Sequence, residues 1–370
     1  MTDRIRGYWE GAPERLRALG PVAVPVGLAL LFAALLLLAA GANPFEAFWI
    51  IWKGSLGTPD KIPDTLVTWV PLTLAATGLV ITFAAGLWNI GIEGQIVAGA
   101  IAATWVAREI PGPGEVVIPL VLLAGAIGGI LWALLAGVLK VYGKVNEIFG
   151  GLGLDFVAAG LAVYLVIGPW KRAGVASTSG TEMFREGLWL PETTGWFGLS
   201  WLEGYSWVAI TIAIGAVIAV YFLMKGTSFG LRLKAVGSNS QSAHLLGIPT
   251  GRYMLSAFAA CGLLAGLAGA IQATGFHHKL VPSVSGGYGF LGILVVLLAA
   301  FRAKWIAPLA LFFVAVSVGS TQLSLRLGLD SAIGGVLQGI LVLFTLLAGG
   351  FQVRRMHVKR RDGMAALVEE

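Results

Sequence analysis

Long apolar runs separated by short polar breaks make up most of the chain. Ten such runs stand at residues 21–40, 66–85, 92–106, 116–139, 148–167, 205–224, 253–274, 286–300, 306–320 and 331–348. About 20 apolar residues are needed for a helix to cross the hydrocarbon core of a bilayer. The pattern therefore predicts an all-α, polytopic membrane protein with about ten transmembrane helices.

The first run is too long for a cleaved signal peptide. It follows four arginines and ends at Ala40-Gly41-Ala42, whose small residues resemble a signal-peptidase site. A signal peptide has an apolar core of only roughly 7 to 15 residues. We therefore expect an uncleaved first helix with its N-terminus inside, followed by an external segment in which Trp49 and Trp52 anchor at the interface.

Basic residues set the orientation of the predicted spans, because cytoplasmic loops of membrane proteins are enriched in Lys and Arg. With ten spans and both termini in the cytoplasm, the basic segments fall on one side, at 140–144, 225–252, 302–304 and the tail 351–370. The hydrophilic segment 170–204, with charges of both signs, is then an external flap. Five spans in each half permit an inverted repeat. No low-complexity linker divides the chain, so we expect one transmembrane domain over residues 1–370.

Composition supports a membrane protein and narrows its chemistry. The 370 residues are 57% hydrophobic and 12% charged, with a mean hydropathy of +0.84, which is outside the range of soluble domains. The net charge of +6 is explained by membrane orientation rather than by nucleic acid. The single cysteine, Cys261, leaves no disulfide and no cysteine-based metal site.

No enzyme site emerges from the sequence. The chain has no G-x-x-x-x-G-K-[ST] motif for ATP phosphates. His277 and His278 are adjacent, and adjacent residues do not share a helix face as a metal-binding pair would. We expect no catalytic residue, no metal and no cofactor on this chain.

The basic loop 225–252 is predicted to contain a helix of about two turns. Ser238, Asn239 or Ser240 can cap its start, while Gly247 and Pro249 can end it. So short a helix is marginal in water, so it needs a partner outside the bilayer or rests on the membrane interface. Ala243 and Leu246 are expected to be exposed and to form such a contact.

Polar residues at membrane depth mark a second candidate region. The joint at residues 86–95 contains Asn89, Glu93 and Gln95, with glycines that allow a bend. An intramembrane carboxylate must face water, protein or backbone donors. Two interpretations are open: a bend lining a transport path, or polar ties between helix ends.

Further polar or aromatic residues lie within the apolar runs. Asp155, Gln272 and Gln338 need hydrogen-bonding partners, for which ties between helices are the simpler role. Tyr288 and Phe290 can stack on a substrate ring or anchor at the interface.

Three motifs give the chain a resemblance to a known family. LRLKAVGSNSQSAHLLGI at 231–248, NIG-x-EGQ at 89–95 and GYGF at 287–290 resemble the permease subunits of ABC importers, above all the ribose and nucleoside permeases. Two features depart from that pattern: the fifth run begins with a glycine-rich 147–152, and 170–204 matches no family motif.

The resemblance implies specific roles for residues in these motifs. In the family, the loop helix docks into a groove of a separate ATPase subunit. The implied ATPase-coupling residues are Arg232, Asn239, Ala243, His244, Leu246 and Gly247. The candidate substrate-path residues are Asn89, Glu93, Gln95, Gln272, Tyr288, Phe290 and Gln338.

The family likeness implies a nucleoside importer of the plasma (inner) membrane, working by alternating access. The expected partners are an ATPase carrying ATP and Mg, a second permease subunit as a heterodimer, an external substrate-binding lipoprotein and the lipid bilayer. A simple-sugar importer is the alternative within the class. A secondary transporter or channel is the alternative from another class, and its coupling ion would need Glu93 or Asp155.

Overall fold

A computed structural model describes residues 14–172, 174, 179–191, 206–330 and 332–347, with side chains from residue 27 onward. This part of the chain contains helices and loops, and no strands. It divides into two compact units, which meet in sequence at positions 54/55 and 315/316. The larger unit, Ser55–Ala315, contains the polar joint and the basic loop.

Thirteen α-helices are present in the described residues. They are α1 Glu14–Ala39, α2 Pro44–Ser55, α3 Ile62–Ala84, α4 Ile92–Glu109, α5 Gly114–Val141, α6 Glu147–Ile167, α7 Trp207–Gly226, α8 Ser228–Ser238, α9 Ser240–Leu245, α10 Thr250–Ile271, α11 Tyr288–Leu298, α12 Ile306–Leu327 and α13 Ile333–Leu347. A π-helical turn, Gln272–Phe276, continues α10.

Six helical segments in the described chain are long and apolar enough to cross a membrane. They are Pro59–Ala84, Gly114–Val141, Glu147–Ile167, Trp207–Gly226, Thr250–Phe276 and Ala303–Leu327. Each of the ten predicted runs overlaps a helix, which confirms the all-helical architecture. However, α11 has only 11 residues, about 16 Å of helix, so it cannot cross a bilayer alone. The count of ten spans, both cytoplasmic termini and the inverted repeat stay predictions.

Glycines allow α4, α5 and α10 to pack with their backbones in contact. A Cβ added to Gly99 would lie against the backbone of Gly266, and one added to Gly266 would lie against Gly125 and Gly129. Small residues drive association of membrane helices by this close approach. The three helices therefore form the tightest part of the larger unit.

Residues 179–191, within the predicted flap, are hydrogen-bonded to the chain that follows α10. Thr181 N donates to Leu280 O at 2.9 Å, and Phe184 N donates to His278 O at 2.8 Å. The rings of Trp189 and His278 stack with centroids 4.0 Å apart. These contacts hold the segment in place, and it contains one short turn of 3₁₀ helix, Glu186–Leu188. Flap residues 173, 175–178 and 192–204 lie outside the described residues.

The smaller unit is held together by a cluster of small and aliphatic side chains. Its buried members are Ala33, Leu37, Ala47, Ile50, Ile51, Leu323 and Leu337. They come from α1, α2, the C-terminal half of α12 and α13. Gln338, a predicted path residue, belongs to this unit and is 2% exposed.

The glycine contacts predict a sharp difference between two Gly→Ala substitutions. Gly266→Ala should lower the apparent Tm in detergent, because its methyl group overlaps backbone atoms of α5, and overpacking costs about 1–3 kcal/mol. Gly215→Ala in α7 is the matched control, since nothing lies within 4 Å of its added Cβ. Its Tm should stay unchanged or rise. Equal Tm values for both variants would show that the three helices are not in backbone contact.

Candidate functional site

The predicted polar joint is a real break between two helices. Helix α3 ends at Ala84, Gly86 takes a left-handed conformation with φ +73°, and α4 begins at Ile92. Only glycine adopts that conformation without strain. The chain therefore turns at this break, where Leu87 and Asn89 are buried and Trp88 is 42% exposed.

Asn89 and Gln95 close this break by bonding to each other. Asn89 Nδ2 donates to Gln95 Oε1 at 3.2 Å, and Gln95 Nε2 donates to Asn89 Oδ1 at 2.9 Å. Asn89 Nδ2 also lies 3.2 Å from Cys261 Sγ on α10. Both amides are therefore paired within the protein in this conformation, and they tie the joint to α10.

Glu93 caps the N-terminus of α11. Its Oε1 accepts from Gly289 N at 3.2 Å and from Phe290 N at 3.4 Å, and Ser285 lies close to the carboxyl group. Gly286 and Gly287 have φ +57° and +75°, so the chain can turn sharply into the helix. The negative carboxylate satisfies backbone donors at the positive end of α11.

Asp155 caps α4 in the same way. Its Oδ1 accepts from Gly94 N at 2.7 Å, and the residue is 8% exposed. Gly91 and Gly151 lie so close that a Cβ on Gly91 would be 2.9 Å from the Gly151 Cα, which brings α6 against the start of α4. The two intramembrane acids thus each serve a helix N-terminus.

Three further polar residues, Thr68, Gln272 and Tyr288, come together from α3, the π turn and α11. The Tyr288 side chain lies close to Gln272 in the π turn and to Thr68 on α3. Gln272 is 2% exposed, whereas Tyr288 and Thr68 are half-buried and Phe290 is 47% exposed. Thr68 was not predicted to belong to this group, although it is one of several polar residues within an apolar run.

The helices around Gln272 are closed. The cavity beside it has a volume of about 10 Å³, and its walls come from Leu66, Val67, Val70, Ser206, Ala209, Ile210, Ile271, Gly275 and Phe276. This is room for about one water molecule, whereas ligand pockets enclose about 300–1,000 Å³. A small-molecule substrate therefore fits here only if the helices separate.

The basic loop contains the predicted short helix, with the predicted caps. Asn239 Oδ1 accepts from Ser242 N at 2.9 Å and begins α9. Gly247, with φ +79°, follows its end. The loop also contains α8, which was not predicted and which Thr227 begins by accepting from Gly230 N at 3.1 Å.

The exposure of the loop helix differs from the sequence expectation at one residue. Ala243 was expected to be exposed, which is wrong: it is 2% exposed. Helix α9 packs on α8 and α10, and the small Ala243 side chain lies on the packed side. Leu245 and Leu246 are instead 83% and 80% exposed.

Of the predicted polar residues of this loop, Arg232 makes a contact within the protein, whereas His244 is exposed. Arg232 Nη1 donates to the Tyr253 hydroxyl at 3.3 Å, which connects α8 to α10. His244 is exposed beside the two leucines. The loop therefore presents two leucines and an imidazole on a base fixed by α8 and α10.

Comparison with known proteins identifies related chains over nearly the whole length. Residues 62–346 match the family described as "Branched-chain amino acid transport system / permease component". The glucose ABC transporter permease protein TsgB13 of Haloferax volcanii is 30% identical over 92% of this chain and 90% of its own length. The guanosine ABC transporter permease protein NupP of Bacillus subtilis is 26% identical over 90% and 93%, respectively. A second guanosine permease protein of that organism, NupQ, is 24% identical over 68% and 79%.

Proposed function

Since the chain belongs to the branched-chain amino acid transport system / permease component family, we propose that it is the membrane subunit of an ABC importer for nucleosides. ATP hydrolysis, with its Mg, belongs to a separate ATPase. An external binding lipoprotein delivers the substrate, and the complex lies in the plasma membrane. Alternating access fits the closed helices around Gln272, which must separate for a substrate to pass.

The capping of α4 and α11 by acids supports an uncharged substrate. Helix N-termini inside transporters commonly bind anionic groups such as a substrate carboxylate. Here Asp155 and Glu93 already occupy the two N-termini at the joint. An amino acid or a phosphorylated sugar would bring its anion against these carboxylates. A nucleoside or a neutral sugar brings only hydroxyls and ring faces.

The group formed by Thr68, Gln272 and Tyr288 is our proposed substrate contact. It offers two hydroxyls and an amide from three segments, and none of them is charged. Such groups match the hydroxyls of a sugar ring, and the exposed Phe290 ring offers an apolar face for a base. Asn89, Gln95 and Glu93 support this contact by fixing the helices around it.

A simple-sugar importer is the second candidate. The 30% identical relative TsgB13 is named as a glucose permease, and the same neutral groups would serve a monosaccharide. A secondary transporter is less well supported, because the relatives that this chain matches are named ABC transporter permeases.

We propose that the chain pairs with a second, non-identical permease. NupP and NupQ of Bacillus subtilis are two guanosine permease proteins, and both match this chain. A pair of related subunits in one organism is what a heterodimer requires.

We propose that the exposed leucines of α9 contact the ATPase. Leu245 and Leu246 project from a helix that is fixed on one side by α8 and α10. Two adjacent exposed leucines fit a shallow apolar groove, while Arg232 and His244 suit its polar rim. Ala243 would act only by holding α9 in place.

The substrate prediction is checked by uptake in vesicles containing both permeases, the ATPase and the cognate binding protein. We expect saturable, ATP-dependent uptake of labelled guanosine or adenosine, and no uptake of a nucleoside monophosphate. ATP-dependent ribose or glucose uptake that excess nucleoside does not inhibit would instead establish the sugar importer.

The proposed substrate contact is tested by measuring the uptake of two substrates by the Tyr288→Phe variant. Loss of one hydrogen bond costs about 0.5–1.5 kcal/mol, or roughly 2–10-fold in rate. Maximal uptake of a nucleoside with a full ribose should fall by this factor, while that of its 2′,3′-dideoxy analogue should change less. Thr77→Val is the matched control, because it removes a buried hydroxyl of α3 that has no hydrogen-bond partner. An equal loss for both substrates would assign Tyr288 a purely structural role.

The coupling prediction uses Leu246→Asp. A carboxylate buried without a partner at the ATPase contact should abolish stimulation of ATP hydrolysis and weaken co-purification. The protein itself should insert and fold normally, because Leu246 is 80% exposed. Met183→Asp on the flap, where the residue is 56% exposed, is the control and should retain ATPase coupling. Wild-type transport by Leu246→Asp would remove α9 from the mechanism.

A further inference from the structure

Helices α1 and α2 meet at a sharp, well-specified corner. Their axes differ by 105° across the break after Ala39. Gly41 has φ +81°, and Ala42 N donates to Leu37 O at 2.9 Å, which ends α1 in a Schellman-like turn. Asn43 Oδ1 then accepts from Phe45 N at 3.0 Å, and Pro44 opens α2. A helix stop, a cap and a proline therefore fix the bend, independently of any ligand.

Helix α2 has two apolar faces, one buried in the smaller unit and one exposed. Ala47, Ile50 and Ile51 are at most 7% exposed and pack in the core of the smaller unit. The opposite face presents Phe45, Trp49 and Trp52, at spacings of four and three residues, with exposures of 87%, 63% and 53%. Helix α2 has 12 residues, which make about 18 Å of helix. It is therefore too short to cross a bilayer by itself.

An open notch lies inside the corner, next to the aromatic stripe. It has a volume of about 730 Å³, and its walls are Ala34, Leu38, Gly41, Ala42, Asn43, Pro44, Phe45 and Phe48. The walls are apolar apart from Asn43 at the turn. Lys53, at the other end of α2, is exposed and can reach a lipid phosphate.

We propose that α2 lies in the plane of the membrane interface as an anchoring helix, and that the notch holds the acyl chain of a phospholipid. Exposed tryptophans concentrate at the membrane–water interface, where the ring is partly apolar and its N–H reaches polar groups. Because the walls of the notch are apolar apart from Asn43, a hydrocarbon chain fits it better than water does. The corner thereby fixes the depth of α1 in the membrane.

The first test measures the depth of α2 in phosphatidylcholine–phosphatidylglycerol vesicles. Single cysteines at 45, 49 and 53, in a Cys261→Ser background, are spin-labelled in the full chain. Labels at 45 and 49 should both collide with dissolved oxygen rather than with a water-soluble nickel complex, and should report the same depth. The label at 53 should be nearer to water.

Other collision patterns would overturn the proposal. Water accessibility at 45 and 49 would show a helix in solvent. A depth that increases steadily along α2 would show a re-entrant segment. Protection from both reagents that appears only when the second permease is added would assign the stripe to a protein contact.

The second test examines the notch with a phosphatidylcholine that carries a photoreactive group in its acyl chain. Wild-type protein should be labelled within residues 34–48. Ala34→Trp fills the notch and should lose most of this labelling. Leu35→Trp is the matched control, because Leu35 is exposed and does not line the notch, and it should keep it. Equal labelling of the two variants would mean that lipid does not occupy the notch.

Discussion

A backbone N–H group inside a membrane has no water to which it can donate, and the polar joint of this protein is built around that constraint. Breaking the chain between α3 and α4 and starting α11 inside the protein creates helix ends whose amides need acceptors. Asp155 and Glu93 supply them, and Asn89 and Gln95 satisfy each other. The carboxyl groups are thus tolerated because they accept from backbone amides that would otherwise lack a partner, and the break is possible because these groups are present.

This arrangement bears on both interpretations of the joint. Each acid caps its helix with one oxygen, and the other oxygen, Glu93 Oε2 or Asp155 Oδ2, is buried without a hydrogen-bond partner among the described residues. The two acids therefore hold the helix ends as structural ties. They also make two helix ends unattractive to anions. The same two acids can therefore hold helices together and influence substrate selection, because the helix ends that they cap are unfavourable for an anion.

Much of the fold follows from the sequence, because membrane burial and helix capping are local. The apolar runs predicted the helices, and Asn239 and Gly247 mark the two ends of α9 as predicted. The failures involve tertiary contacts. Ala243 could not be identified as buried without knowing that α8 exists, and Thr68 could not be paired with Tyr288 across more than 200 residues. The corner at Gly41 and Asn43 had local signals, but an apolar pattern alone does not distinguish a crossing helix from one in the interface.

Helix α10 connects the two ends of the larger unit without interruption. Its first residues follow the loop that contains α9, and the turn after its last residues is where residues 181–190 are hydrogen-bonded and stacked. Twenty-two residues make a stiff rod of about 33 Å. Because backbone contacts with α4 and α5 leave it little room to bend, a tilt imposed at its first turn reappears at its last. A rigid tilt of α10 about these glycine contacts would therefore move the basic loop and residues 179–191 together.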